Sequence, residues 1–205
     1  VYGLAASIES EEGLKRIFSI KERPFFDPLI VHVSDLEQRR RVISVWPDLA
    51  DYLAKKFWPG PLTMVLPKHP SINPLITSGL TTVGLRMPAH PVARALIDKL
   101  GIPLAAPSAN KFGKTSPTKA EHVRKGFEKE DLFILDGGQS EVGLESTVIS
   151  IAEREGQTDV QILRPGAITL ELLEAALKEW GRPFTISRAT SMASPGNTEP
   201  VSYTH

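Results

Sequence analysis

Residues 103–118, PLAAPSANKFGKTSPT, hold the densest set of groups suited to binding a ligand. Leu104-Ala105-Ala106 reads as a short buried strand bounded by prolines. After it, Ser108, Asn110, Lys111, Lys114, Thr115, Ser116 and Thr118 crowd into a loop punctuated by Gly113. Hydroxyls and free backbone N–H groups donate hydrogen bonds, and lysines supply charge, so such a loop can hold an anion. Thr118 is placed to cap a helix over 119–127, with Glu121 at its third position, and that helix would aim a further positive end at the loop. The plain alternative is a turn whose polar side chains bond their own backbone. This stretch alone leaves both open.

Other cations stand where strands end. Lys21 and Arg23 lie at i, i+2, so in an extended segment both face one side, a two-cation clamp suited to phosphates or else a solvated basic pair. Arg86 sits between Leu85 and Met87 inside an apolar strand. A semi-buried arginine requires an anionic partner, either a protein carboxylate or a ligand's. Arg164 precedes Pro165-Gly166 at a strand end, and Glu145-Ser146-Thr147 opens a strand. His32, in an apolar strand, reads more readily as a core histidine than as a ligand contact. No GxxxxGK[ST], GxGxxG or GxSxG motif is present, and the histidines lack metal-ligand spacing. Cations and hydroxyls without a nucleophile point to chemistry by positioning and charge stabilisation.

The elements that must position these groups follow from periodicity and punctuation. Helices are expected over 10–18, 35–45, 48–57, 92–100, 119–127 and 169–180, and strands over 29–33, 62–66, 81–87, 104–106, 132–135, 147–151 and 160–163. Residues 68–79 read as loop. Interleaved strands and helices argue for an α/β fold. Strands 132–163 arrive without helices between them, so the sheet is expected to be mixed parallel and antiparallel, flanked by helices. Residues 1–181 read as one domain and 182–205, rich in Pro, Ser, Thr and Gly, as a linker.

Composition narrows the function class. The 24 basic residues balance 24 acidic ones, so no global field draws the chain to nucleic acid or membrane, and any anion site is local. There is no cysteine, which excludes thiolate chemistry and a disulfide framework and fits a cytoplasmic protein. No apolar run approaches the roughly 18 residues of a membrane span. The chain opens on VYGLAA without methionine and is expected to be a portion of a longer protein.

The segments KERPFFDPLIVHV (21–33), WPGPLTMVL (58–66), TTVGLRMPAHP (81–91), PLAAPSANKFGKTSPT (103–118), STV (146–148) and RPG (164–166) occur in the order seen in the YrdC family, which this chain resembles from Val1 to about Gly181. The resemblance implies a twisted α/β sheet with a concave basic cavity. It also implies synthesis of threonylcarbamoyl-adenylate from L-threonine, bicarbonate and ATP, with release of pyrophosphate. Mg²⁺ is expected with ATP, and no metal site on the protein. The product would pass to a separate transferase complex for tRNA N6-threonylcarbamoyladenosine formation. By motif position, Lys21, Arg23, Asp27, Thr82, Ser108, Asn110, Ser116 and Arg164 would bind ATP. His32, Arg86, Ala106 and Ser146 would hold threonine, and no residue would act as a nucleophile. Tyr203, in a tail resembling the linker of two-domain members, would belong to a lid. The family usually carries Asn at Asp27 and often Gly at Glu22. A carboxylate repels phosphate where an amide donates to it, which counts against an ATP role for Asp27. The family also has a threonine-rich segment before VYGL. Two rival readings remain: a YrdC module of a carbamoyltransferase using carbamoyl-adenylate, and a non-catalytic RNA-binding module; for the enzyme, weak RNA binding is a further expectation.

Overall fold

The computed structural model describes residues 1–154 and 156–189. Tyr203 lies outside them. Helix α1 (Glu11–Lys21) starts at Ser10, whose hydroxyl accepts from the Gly13 amide at 3.0 Å, with Glu11 and Glu12 in its first turn. It ends at Glu22, whose φ of 56° lies in the left-handed region. Glycine adopts that conformation without strain, whereas a side chain such as that of Glu22 carries a backbone cost there. Helices α2 (Asp48–Phe57), α3 (Pro74–Thr77), α4 (Pro91–Leu100), α5 (Ala120–Gly126) and α6 (Leu170–Trp180) follow.

The strands are β1 (Ala6–Ser7), β2 (Ile30–His32), β3 (Leu62–Pro67), β4 (Thr82–Arg86), β5 (Leu104–Ala105), β6 (Thr147–Arg154), β7 (Gln157–Arg164) and β8 (Phe184–Arg188). They form one sheet in the order β1-β5-β2-β4-β3-β6-β7-β8. The sheet is mixed, as expected: β2/β4, β3/β6 and β7/β8 run parallel, and the other neighbours antiparallel.

Strand alternation divides the sheet into two unlike faces. Val31, Leu85, Met64 and Ile149 are register partners in turn, and all are buried against Leu14, Ile17 and Phe18 of α1, Leu49 and Leu53 of α2, and Leu173 and Leu177 of α6. The alternate residues face the other way. Ile30, Val65, Val148 and Leu163 make a small apolar floor there, and His32 and Arg86 stand beside it as register partners. One face thus forms the main core and the other is left to bind.

Several expectations are corrected. The helix over 35–45 is a single 3-10 turn, Gln38–Arg41. Residues 42–44 are drawn instead onto the end of β3, where the Ser44 amide bonds Pro67 O and Val42 O accepts from His69. The loop 68–79 contains α3, with Asn73 capping and Pro74 at its first position. Thr118 does not cap α5, whose N-cap is Lys119. Residues 132–135 form no strand. Leu132 and Ile134 pack toward Val123 and Phe127 while Phe133 is 91% exposed, so the alternation is present and a neighbouring strand is not. Phe184–Arg188, read as linker, is the edge strand β8, paired with β7 from Thr158↔Phe184 to Ile162↔Arg188.

Candidate active site

Two parallel strands, β2 and β4, end side by side, which sets His32 and Arg86 about 4.8 Å apart on one face. The turn after β5 brings Ala106, Pro107 and Ser108 along one flank of the resulting cleft. The segment leading into β6 supplies Glu145 and Ser146, β7 ends in Arg164, and Arg23 enters from beyond α1.

The backbone here is held by close approaches. A side chain at Gly166 would meet the Ser146 carbonyl carbon at 2.5 Å, so only glycine lets the RPG turn pack on residues 145–147. Ala167 N donates to Glu145 O, and Thr147 Oγ1 donates to Ile168 O at 2.7 Å. At Gly60 a Cβ would lie 2.2 Å from Phe57 O. Gly60 O in turn accepts from Arg86 Nε at 2.9 Å, which fixes where that guanidinium points.

Charge is unevenly compensated. Arg23 pairs with Asp27 at 2.9 Å, both side chains buried, and also donates to Asp27 O and Pro28 O. Arg164 Nη1 meets Glu145 Oε2 at 2.8 Å, and the other oxygen of Glu145 accepts from Ser116 Oγ at 2.9 Å. Arg86 has no carboxylate within 4 Å among the described residues. Burial, with repulsion from Arg164, lowers its pKa to about 10, so it stays charged at neutral pH. Burial, reinforced by Arg86, pushes His32 down to about 3, so its imidazole is neutral. Its buried Nδ1 has no hydrogen-bond partner among the described residues.

The depressed His32 pKa has a measurable consequence. The unfolded imidazole takes up a proton near pH 6.5, the folded one only near pH 3. The folded pKa is the lower, so this contribution to stability is complete above pH 6.5 and is lost as pH falls toward 3. Urea midpoints between pH 7 and pH 4 should therefore fall more steeply for the wild type than for His32→Gln; parallel slopes would contradict the burial argument.

Of the residues singled out in the sequence, Arg23, His32, Arg86, Ala106, Ser108, Ser146 and Arg164 come together on the cleft wall. Lys21 does not line it. It ends α1 and is no part of an extended clamp with Arg23. Its ammonium, 1% exposed, donates to Ser108 O at 2.6 Å and Asn110 O at 2.5 Å, and so holds the loop that carries Ser108. Burial, then Arg23, lowers its pKa to about 8. Asp27 lies beneath Arg23. Asn110 folds its amide onto Lys111 O and Lys114 O, the local turn bonding named as the plain alternative. Ser116 reaches the site through Glu145. Thr82 is at the opposite end of β4, four residues and about 13 Å from Arg86. Glu145 and Thr63 were not anticipated. Thr63 Oγ1 contacts Ser146 Oγ at 2.8 Å, and neither residue carries a local signal for that pairing.

Comparison with known proteins places the chain in a family. The Sua5/YciO/YrdC family model, described as telomere recombination, matches residues 1–166. A threonylcarbamoyl-AMP synthase of Bacillus subtilis is 44% identical over 211 residues, covering 100% of this chain and 58% of its own. One of Pyrococcus abyssi is 47% identical over 179 residues, covering 87% of this chain and 52% of its own. The chain thus spans about half the length of these relatives. The crystal structure of P. abyssi Sua5 complexed with L-threonine superposes with a TM-score of 0.82 at 45% identity, over 90% of this chain and 53% of that one. The mixed eight-stranded sheet, the sequence match and the superposition converge: the chain belongs to the Sua5/YciO/YrdC family.

Proposed function

We propose that this chain is the catalytic domain of a threonylcarbamoyl-AMP synthase, a cytoplasmic nucleotidyltransferase that condenses L-threonine, bicarbonate and ATP for tRNA modification. The observation that carries the reading is Arg86: a half-buried guanidinium, fixed by Gly60 O, facing a cleft and lacking a carboxylate among the described residues. The α-carboxylate of an amino acid would compensate it. The named relatives and the L-threonine complex of the P. abyssi protein support the choice of amino acid.

In this reading neutral His32 and Ser146 orient the amino acid beside Arg86. Arg23, Arg164 and Ser108 face the nucleotide phosphates, Ser116 joins them once Glu145 turns aside, and Lys21 keeps their loop in place. The threonine nitrogen bonds to the carbon of carbon dioxide derived from bicarbonate and loses a proton. A carbamate oxygen then bonds to the α-phosphorus of ATP as the bond to pyrophosphate breaks. No protein nucleophile takes part, and positioning and charge compensation do the work. The cleft wall offers one carboxylate, Glu145, and the described residues contain no group of three or more metal-ligating side chains. The residues present thus do not make a resident metal site; Mg²⁺ would enter with ATP as part of the substrate, and no step is assigned to it. A transferase acting on tRNA would consume the product.

The test is pyrophosphate release from ATP, with and without L-threonine and bicarbonate, and the mass of the product. Release that needs both, with threonylcarbamoyl-adenylate formed, is expected. Threonine-independent release, or a carbamoyl-adenylate product, would overturn the assignment.

A further inference from the structure

Thr63 lies on β3 with 0% exposure, and its one side-chain hydrogen bond among the described residues is to Ser146 Oγ, 2.8 Å away. Two hydroxyls in contact leave the direction of donation open, and the neighbouring groups decide it. If Ser146 were the donor, the Thr63 proton would be buried without an acceptor, a state that folded interiors avoid. Thr63 is therefore the donor. Arg164 Nη2, which can only donate, reaches the same Ser146 oxygen at 3.0 Å. These two bonds occupy both lone pairs of that oxygen. What remains to Ser146 is its own proton, and Ser146 lines the cleft.

The surroundings do not let Ser146 escape this role. Arg164 also donates to its backbone carbonyl, from Nη2 at 2.9 Å. The Gly166 turn presses on the same peptide. The register Thr63↔Val148 locks β3 to β6 two residues beyond.

We propose that Thr63 is a positioning residue that makes Ser146 an obligate hydrogen-bond donor to the cleft, so that the substrate group seated there is an oxygen acceptor, a carboxylate or carbamate oxygen of the amino acid. An ammonium or amide N–H in that place would face a proton and no lone pair. Thr63 thus acts on specificity without touching substrate. The proposal rests on the reading of the cleft as an amino-acid and ATP site.

The experiment measures L-threonine and ATP affinity by calorimetry, and steady-state kinetics, for Thr63→Val, Thr63→Ser, Ser146→Ala and the Thr63→Val/Ser146→Ala pair. Thr63→Val should weaken L-threonine binding about 5–10-fold and raise its KM alike, because one hydrogen bond that polarises Ser146 is lost. ATP affinity and kcat should stay within about twofold, and Thr63→Ser should restore threonine affinity. In the Ser146→Ala background, Thr63→Val should cost nothing further. Thr63→Ala repeats the test if the valine variant does not fold. Unchanged threonine affinity, equal loss for both substrates, additive losses in the pair or no rescue by serine would each overturn the proposal. A wild-type protein that does not bind L-threonine would overturn the functional reading itself, a distinct failure.

Discussion

Arg86→Met should abolish use of L-threonine while leaving the protein no less stable. The two halves of this result have one cause. In the ligand-free cleft the Arg86 guanidinium is desolvated, repelled by Arg164 and without a carboxylate among the described residues. Replacing it with an apolar side chain of similar length removes an uncompensated charge and should raise the unfolding free energy by about 1 kcal/mol. The same substitution leaves the substrate carboxylate unpaired in a buried place, which costs about 3–5 kcal/mol, or about 10²- to 4 × 10³-fold in kcat/KM for threonine. ATP affinity should change far less. Equilibrium unfolding and steady-state kinetics check both halves. A variant that is strongly destabilised, or that loses ATP binding and keeps threonine binding, would show that Arg86 holds the structure or the nucleotide.

Asp27→Ala should destabilise the fold by about 3–5 kcal/mol. Arg23 and Asp27 have side chains only 6% and 2% exposed and meet at 2.9 Å. Removing the carboxylate leaves a buried cation with carbonyl partners alone. Asp27→Asn should cost less, because its amide oxygen still accepts from the guanidinium. The order wild type, Asn, Ala in urea midpoints is the expected result. If all three unfold together, the ion pair is not what fixes Arg23 in the cleft wall.

Much of this molecule is readable from its sequence where the signal is local. The Ser10 cap and the Leu14, Ile17, Phe18 stripe announce α1, and Thr169 with Leu173, Ala176 and Leu177 announces α6. A charged residue inside an apolar strand marks Arg86, and the unmet need for an anion survives into the structure. What escaped is pairing between distant segments. Ser116 and Glu145 are 29 residues apart, Thr63 and Ser146 83 apart, and nothing near either member of a pair points to the other. Lys21 shows a different kind of signal. Its residue type suited phosphate, but a helix end turned it inward onto two carbonyls. Thr82 stands away from Arg86 by strand length alone, since a strand carries its two ends to different places. At 132–135 the alternation of a strand had no sheet to join.

The bridge from Ser116 through Glu145 to Arg164 gives the cleft the character of an ion exchanger. Arg23 and Arg164 arrive already loaded with carboxylates tethered to the same chain, and such a tethered partner acts at an effective concentration far above that of a dilute buffer ion. Chloride or inorganic phosphate therefore gains little by entering. In the proposed reaction a polyphosphate that engages several donors together would displace Glu145, and the displaced carboxylate would stay nearby to reclaim Arg164 when the product leaves. Selectivity against small anions and prompt release of a large one would then come from the same internal counterion.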